Sequence, residues 1–372
     1  MKYVDEFRDP VLTGHLLREL AATTAAIARP LRIMEVCGTH TMAIFRSGLR
    51  ALLPPEIELI SGPGCPICVT SAGHIDTFLH MADLPGTRLA VFGDLFRVPG
   101  SNGRTLADAR ARGAKIDVVY SPTDALELAR QNPDELMIFP GIGFETTTPA
   151  IAATILTASH QNIDNFVVFS THKTMLPPLM ALLGDPSLGL DGLLCPGHVS
   201  TIIGASAYLP LTGANHLACV VSGFEPTDIL QALILMARQI KENRAEVENA
   251  YTRAVNWEGN ARAKAMVDTI FEPADMEWRG LGVIPGSGLA IKERFARFDA
   301  QPRLSLVVPN TKEPAGCLCG QILKGITTPP HCPLFGRRCT PAGPIGPCMV
   351  SSEGTCSAWF AYGNESRGTQ DS

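Results

Sequence analysis

Short apolar runs rich in β-branched residues recur along the first 225 residues, and most end in a turn of glycine, proline, cysteine or histidine. The runs are continuously apolar rather than alternating, which is typical of parallel strands buried on both faces. The predicted strands are 31–36, 57–60, 89–92, 115–120, 136–139, 166–169, 193–194 and 217–221. Segments with helical spacing lie between them, among them 72–82, 105–112 and 123–130.

This alternation of strands and helices predicts an α/β fold with parallel sheets covered by helices on both faces. Two short repeats favour two doubly wound domains facing a cleft: Cys37-x-x-His40 is matched by Cys195-x-x-His198, and Gly143-Phe-Glu145 by Gly223-Phe-Glu225. Open parallel sheets bind ligands beyond the carboxyl ends of their strands, which is where the polar motifs fall. We therefore expect the chemistry at one rim or at two facing rims.

The pattern of the sequence changes after Glu225. Thr227 is a plausible N-cap, and the sequence from Asp228 to about Trp257 is helically periodic. A Gly/Pro-rich stretch, 279–289, precedes a cysteine-rich tail. We predict three segments: 1–125, a first α/β domain; 126–225, a second; and 226–372, a long helix followed by a small cysteine-rich domain.

Composition narrows the function. The 372-residue chain is 45% hydrophobic and carries a net charge of −5 without a basic block, which argues against nucleic acid as the main partner. It has no secretory signal and no apolar run of about 18 residues, so we expect a cytoplasmic protein without a membrane span. Six of the 11 cysteines lie in the last 56 residues. In a reducing compartment such a cluster indicates metal or redox chemistry more often than disulfides.

Three cysteine motifs are candidate sites. The thiols of the tail suit a [4Fe–4S] cluster or a tetrahedral Zn²⁺, and disulfides are the alternative. Cys65-Pro-Ile-Cys68 is read as a redox-active pair at a helix N-terminus, against metal ligation or a structural role. Cys37 and His40 could hold an iron or copper ion, act as nucleophile and base, or be ordinary core residues.

The chain resembles the HypD family of hydrogenase maturation proteins over nearly its whole length. The resemblance rests on the following motifs: Cys37-Gly-Thr-His40, Gly62-Pro-Gly-Cys65-Pro-Ile-Cys68, Gly143-Phe-Glu145-Thr-Thr, Ser170-Thr-His172-Lys173, Cys195-Pro-Gly-His198, and the C-x14-C-x6-C-x16-C spacing of Cys317, Cys332, Cys339 and Cys356.

The resemblance implies two α/β domains and a smaller domain in which those last four cysteines hold a [4Fe–4S] cluster, leaving Cys319 and Cys348 as non-ligands. It also implies a scaffold, shared with the small protein HypC, on which the Fe(CN)₂CO unit of [NiFe]-hydrogenase is assembled. Cyanide would come from HypE, and the finished unit would pass to the hydrogenase large-subunit precursor.

On this basis we assign residue roles as predictions. Cys37 binds the iron with a HypC cysteine, and His40 orients or deprotonates it. Cys65 and Cys68 exchange electrons with the cluster, and Glu353 moves a proton with them. His172, Lys173 and His198 donate hydrogen bonds to cyanide. A stand-alone iron–sulfur thiol/disulfide oxidoreductase is the alternative function.

Overall fold

The computed structural model of the protein describes residues 5–27, 29–185, 188–215 and 217–363. Its strands are β1 (Leu31–Glu35), β2 (Ile57–Ser61), β3 (Thr87–Val91), β4 (Ile116–Val118), β5 (Leu136–Gly141), β6 (Phe166–Ser170), β7 (Gly192–Pro196), β8 (Ala218–Ser222), β9 (Val247–Asn249), β10 (Phe271–Trp278) and β11 (Gly282–Ile291).

Its α-helices are α1 (Pro10–Ala25), α2 (Gly38–Arg46), α3 (Leu49–Leu52), α4 (Ala72–Ala82), α5 (Leu106–Ala111), α6 (Pro122–Gln131), α7 (Thr148–His160), α8 (Leu176–Leu183), α9 (Gly197–Ile203), α10 (Leu209–Asn215), α11 (Pro226–Lys241), α12 (Ala261–Ile270), α13 (Ala300–Arg303), α14 (Cys319–Leu323), α15 (Pro347–Val350) and α16 (Thr355–Tyr362). Short 3₁₀ turns cover Asp5–Phe7, Leu95–Arg97, Ala205–Tyr208, Glu293–Phe298 and Pro329–His331. None of the helices in the described ranges is long and apolar enough to span a membrane.

Two parallel sheets form the centre of the molecule, which confirms the α/β class. The first sheet has the strand order β2-β1-β7-β8-β9, and the second has the order β4-β3-β5-β6. Every strand pair within these two sheets is parallel. Strands β10 and β11 form a separate antiparallel hairpin with a bulge between Ala274 and Met276.

The two sheets do not follow the contiguous segments 1–125 and 126–225 predicted from the sequence. β1 pairs with β7 (Ile33 lies beside Gly192), so the first sheet combines residues 31–61 with residues 192–249. The second sheet is formed entirely by the intervening residues 87–170. Strand order depends on contacts between distant parts of the chain, and local hydrophobic patterns carry no information about it.

The sheets are buried on both faces, as their continuously apolar strands predict. In β1, Leu31 and Ile33 contact the core under α1 and α11, whereas Met34 on the opposite face joins the core between the two sheets. In β5, Met137 and Phe139 pack toward α6 and α7, and Ile138 faces the central core. The central core thus joins the two sheets into one body.

The predicted long helix after Glu225 is shorter than its periodicity indicates. α11 begins at Pro226 with Glu225 as its N-cap, in a reciprocal capping arrangement with Asp228. Thr227 is not the N-cap; its hydroxyl donates to the carbonyl of Phe7. The helix ends at Lys241, and Val247 then pairs with Cys219 in the first sheet. Val247 therefore fits the helical periodicity of the sequence but lies in a strand, because its pairing with β8 overrides the local periodicity.

Candidate functional site

The two motif loops of the first sheet meet at the carboxyl ends of β1 and β2. Cys37 precedes the first residue of α2, and the Gly38 N–H donates to the Gly64 carbonyl at 3.0 Å. A Cβ atom on Gly64 would lie 2.3 Å from the Cys37 nitrogen, so only glycine allows this approach. The Gly-Pro-Gly segment thus holds the Cys65 loop directly against the backbone of Cys37.

A third region of the chain reaches the same point. A Cβ on Gly38 would lie 2.4 Å from the Glu353 carbonyl oxygen and 3.2 Å from Cys65 Cβ. The Thr39 hydroxyl donates to Glu353 Oε1 at 2.5 Å. We call the meeting of Cys37, Cys65 and Glu353 around Gly38 the Gly38 junction. It joins both cysteine motifs of the first sheet to the cysteine-rich region.

Helix α16 fixes the cysteine-rich region in this position. Trp359 packs on Phe45 of α2 with ring centroids 5.1 Å apart, and the Arg50 guanidinium lies over the Trp359 ring at 4.9 Å. Glu353 is half-buried as a result, and burial raises the pKa of its carboxyl group. Glu353 is therefore not an exposed surface residue.

Cys65 and Cys68 form a disulfide whose side chains are almost completely buried, with 3% and 1% exposure. The pair lies in a turn and not at a helix N-terminus: α4 begins only at Ala72, with Ser71 as N-cap. The helix-dipole argument for an activated thiol is therefore wrong. The Cys68 N–H lies 3.2 Å from Cys65 Sγ, and Ser351 Oγ of the cysteine-rich region lies 3.4 Å from the same sulfur.

The Cys37 thiol is in an environment that opposes ionisation. Burial raises its pKa to about 12, and the nearby Glu353 carboxylate acts in the same direction. The backbone N–H groups of Thr39 and His40 lower the pKa of Cys37, but by less than burial raises it. Cys37 is therefore a protonated thiol at neutral pH, and a metal that binds it must displace the proton.

His40 is fully buried and neutral. Its Nε2 lies 2.9 Å from the Gly223 carbonyl oxygen, which only accepts, so Nε2 carries the hydrogen. Nδ1 is then a free base, and it is buried with no hydrogen-bond partner among the residues that the structure describes. Burial lowers the pKa of His40 to about 4. The histidine next to Cys37 thus presents a proton-accepting atom.

His198 does not reach this side of the site. Phe224 lies between the two histidines, with its ring centroid 4.7 Å from that of His40 and 4.0 Å from that of His198. The His198 side chain is exposed to solvent.

Cys195 departs further from the repeat that pairs it with Cys37. It lies inside β7, fully buried, beside the equally buried Cys219. The structure places it in the core rather than at the rim.

His172 and Lys173 follow β6 but contact the hairpin β10–β11. Lys173 Nζ donates to the Thr171 carbonyl at 3.3 Å and lies 5.7 Å from the Trp278 ring centroid. Burial lowers the pKa of Lys173 to about 7 and that of His172 to about 3. Neither residue lines the cleft next to the Gly38 junction.

That cleft has a volume of about 330 Å³ and lies between the two sheets. It is lined by the disulfide turn at Pro66 and Ile67, by the loops after β3 and β5, and by residues 351–353. The two rims therefore face each other, and the cysteine-rich region closes one side.

Asp94, after β3, is a site residue that sequence reasoning missed. Its Oδ2 accepts hydrogen bonds from the Ser351 hydroxyl and from the N–H and hydroxyl of Ser352. The signal in the sequence that could have identified Asp94 was its position just after a predicted strand.

The six cysteines of the tail surround a single small cavity of about 20 Å³. They are Cys317, Cys319, Cys332, Cys339, Cys348 and Cys356. Within the described ranges, no group of three or more His, Cys, Asp or Glu side chains has the arrangement of a single-ion site.

An all-thiol donor set in apolar surroundings, including Ile322, Leu334 and Met349, fits a [4Fe–4S] cluster in its chemistry, because each iron takes one thiolate. The choice of four ligands among six stays a prediction.

The fold and the site together define a class: an α/β protein in which a buried thiol and a disulfide lie in contact with a cysteine-rich region that contains a cysteine-lined pocket. The HypD family model, described as the hydrogenase formation hypA family, matches residues 12–363. The chain is 48% identical to the hydrogenase maturation factor HypD of Azotobacter vinelandii, with 98% of each chain covered. It is 44% identical to the Escherichia coli factor of the same name, over 97% of this chain and 98% of that one.

The chain belongs to the HypD family of hydrogenase maturation factors. Its role in hydrogenase maturation implies interaction with other maturation proteins.

Proposed function

We propose that the protein is a redox-active scaffold on which, together with a HypC-type protein, the Fe(CN)₂CO unit of [NiFe]-hydrogenase is assembled. Cyanide is received from a HypE-type donor, and the unit then passes to the hydrogenase large-subunit precursor. The observation that carries this proposal is the Gly38 junction, where a candidate iron ligand, a reducible disulfide and the cysteine-rich region are in direct contact.

Cys37 is the iron ligand in this proposal. A low-spin iron that carries cyanide and CO favours a soft thiolate. Because burial and Glu353 keep the thiol protonated, iron binding releases a proton inside the protein. His40 Nδ1, which has no partner, and the Glu353 carboxyl group are the neighbouring acceptors. His40 keeps its orientation through the hydrogen bond to Gly223.

Cys65 and Cys68 exchange electrons with the cysteine-rich region in this scheme. Reduction of their disulfide takes two electrons and two protons and leaves two thiols beside Gly38. Bound by Cys317, Cys332, Cys339 and Cys356, a [4Fe–4S] cluster supplies one-electron chemistry. Ser351, near Cys65 Sγ and hydrogen-bonded to Asp94, keeps the cysteine-rich region in contact with the disulfide.

The alternative, a stand-alone thiol/disulfide oxidoreductase, is disfavoured by the burial of both sulfur-bearing side chains. An enzyme that exchanges disulfides with external thiols needs an accessible sulfur for the attacking thiolate.

The test is infrared spectroscopy of the protein co-purified with HypC. The wild-type complex is expected to show CN and CO bands, and C37A is expected to lose them while its iron–sulfur absorbance remains. C195A removes another buried thiol, so it serves as the matched control and is expected to retain the bands. Bands of full intensity in C37A would place the iron elsewhere and end the proposed role of this cysteine.

A further inference from the structure

Arg279, at the end of the hairpin strand β10, lies between the disulfide turn and the cysteine-rich region. Its backbone N–H donates to the Val69 carbonyl at 2.8 Å, and its Nε donates to the Thr70 carbonyl at 2.9 Å. Both carbonyls belong to the residues that directly follow Cys68. The arginine is thus fixed to the disulfide turn by two hydrogen bonds.

The guanidinium of Arg279 also forms an ion pair with Glu313, four residues before Cys317. The chain before Glu313 runs against the start of α4: a Cβ on Gly73 would lie 2.2 Å from the Pro309 carbonyl oxygen. Next to the arginine, Gly280 is packed so closely that a Cβ there would lie 2.1 Å from the Gly320 Cα. Residues 279–280 are therefore in contact with the segments of chain that flank Cys317 and Cys319.

The two charges of this ion pair are not equivalent at the cysteines. The Arg279 side chain is 2% exposed, whereas that of Glu313 is 36% exposed and partly screened by water. The cation is therefore the less screened of the two charges next to the cysteine-rich region.

We propose that Arg279 is a positioning residue that sets the electron affinity of the cysteine-rich site: its buried positive charge stabilises the reduced, more negative state of the centre beside the disulfide turn. The inference rests on the proposed [4Fe–4S] cluster and deepens the proposed electron relay. The Arg279 side chain is also hydrogen-bonded to the turn after Cys68. It therefore connects the cysteine-rich site and the disulfide, the two partners of the proposed electron relay, through one rigid contact.

The test is a potentiometric titration of the anaerobically purified full-length protein with dithionite, followed by visible and electron paramagnetic resonance spectra. We expect R279Q to lower the electron affinity about tenfold, which corresponds to about 59 mV for one electron. E313Q leaves the Arg279 cation without its partner, so the midpoint potential of the E313Q variant is expected to shift upward. R279K, which keeps the charge, is expected to restore most of the wild-type potential.

R88Q is the matched control, because Arg88 also forms ion pairs with carboxylates (Asp117 and Glu135) but lies in the second sheet. Its potential is expected to equal that of the wild type. Equal potentials in wild type, R279Q and E313Q, or shifts of the same sign in both variants, would overturn the inference. If R279Q does not retain a cluster, the sign of the E313Q shift decides. Absence of any cluster from the wild-type protein is a separate outcome that refutes the proposed relay itself.

Discussion

Replacing Gly38 by alanine tests the Gly38 junction directly. Gly38 is the first residue of α2 and its φ is not positive, so backbone conformation does not require glycine there. Alanine is preferred over glycine in helices by about 1 kcal/mol. Local propensity alone therefore predicts that G38A is neutral or stabilising.

Packing predicts the opposite effect, a loss of stability in G38A. The new Cβ would lie 2.4 Å from the Glu353 carbonyl oxygen and 2.6 Å from Glu353 Cβ, whereas ordinary contacts begin at 3.4 Å. Residues 351–353 must therefore retreat by about 1 Å, and overpacking of this kind costs about 1–3 kcal/mol. Because the obstructing atoms include backbone, side-chain rotation cannot relieve the clash. We expect a net loss of stability and separation of Glu353 from Thr39.

The assay combines urea unfolding with infrared detection of CN and CO on the HypC complex. G38A is expected to unfold at lower urea concentration and to show weakened bands. G213A is the control: apart from its chain neighbours and the backbone of helix α10, no atom of the described residues lies within 4 Å of its Cβ position, so it is expected to match or exceed wild-type stability. If G38A equals G213A in both measurements, the junction is not tightly packed and the reasoning is refuted.

Three further predictions concern metal content, redox state and pH. Anaerobically purified protein is expected to contain about four irons per chain with broad visible absorbance; a colourless protein holding one zinc would contradict the cluster. Thiol trapping is expected to find Cys65 and Cys68 joined in oxidised protein and free after reduction; thiols that are free under every condition would end the relay. Lys173 titrates near pH 7 when folded, against 10.5 for an ordinary lysine, so the unfolded chain alone holds its proton between these values. Stability should therefore rise with pH across this window, and K173M should flatten the rise in urea unfolding measured at pH 7 and pH 10; an unchanged slope would show that Lys173 is not deprotonated in the folded protein.

The sequence allowed strands β1 to β8 to be predicted, because continuous apolar runs such as 136–139 report burial on both faces, whereas β9 and the hairpin β10–β11 were missed. It also placed Cys37 and Cys65 at the carboxyl ends of strands, and the structure confirms these positions. The order of the strands in the two sheets could not be predicted from the sequence. The pairing of β1 with β7 bridges about 160 residues, and nothing local to either strand specifies the partner.

For the site, spacing identified the residue types but not their surroundings. The repeat Cys-x-x-His matched Cys37 with Cys195, yet one begins a helix at the junction and the other lies within a strand core. Lys173 was expected in the cleft, but the hairpin β10–β11 covers it. Such differences depend on which distant segment packs on a residue, as Ser351 does on Cys65.

The interleaving of the two sheets also determines when the site can exist during synthesis. Residues 87–170 contain all strands of the second sheet, so that sheet can form while the rest of the chain is still being made. The first sheet must wait for β7, and the Gly38 junction must wait for Glu353. A chain that stops before Glu353 therefore presents Cys37 without its completed surroundings. Burial of the proposed iron-binding thiol thus depends on residues more than 300 positions further along the chain.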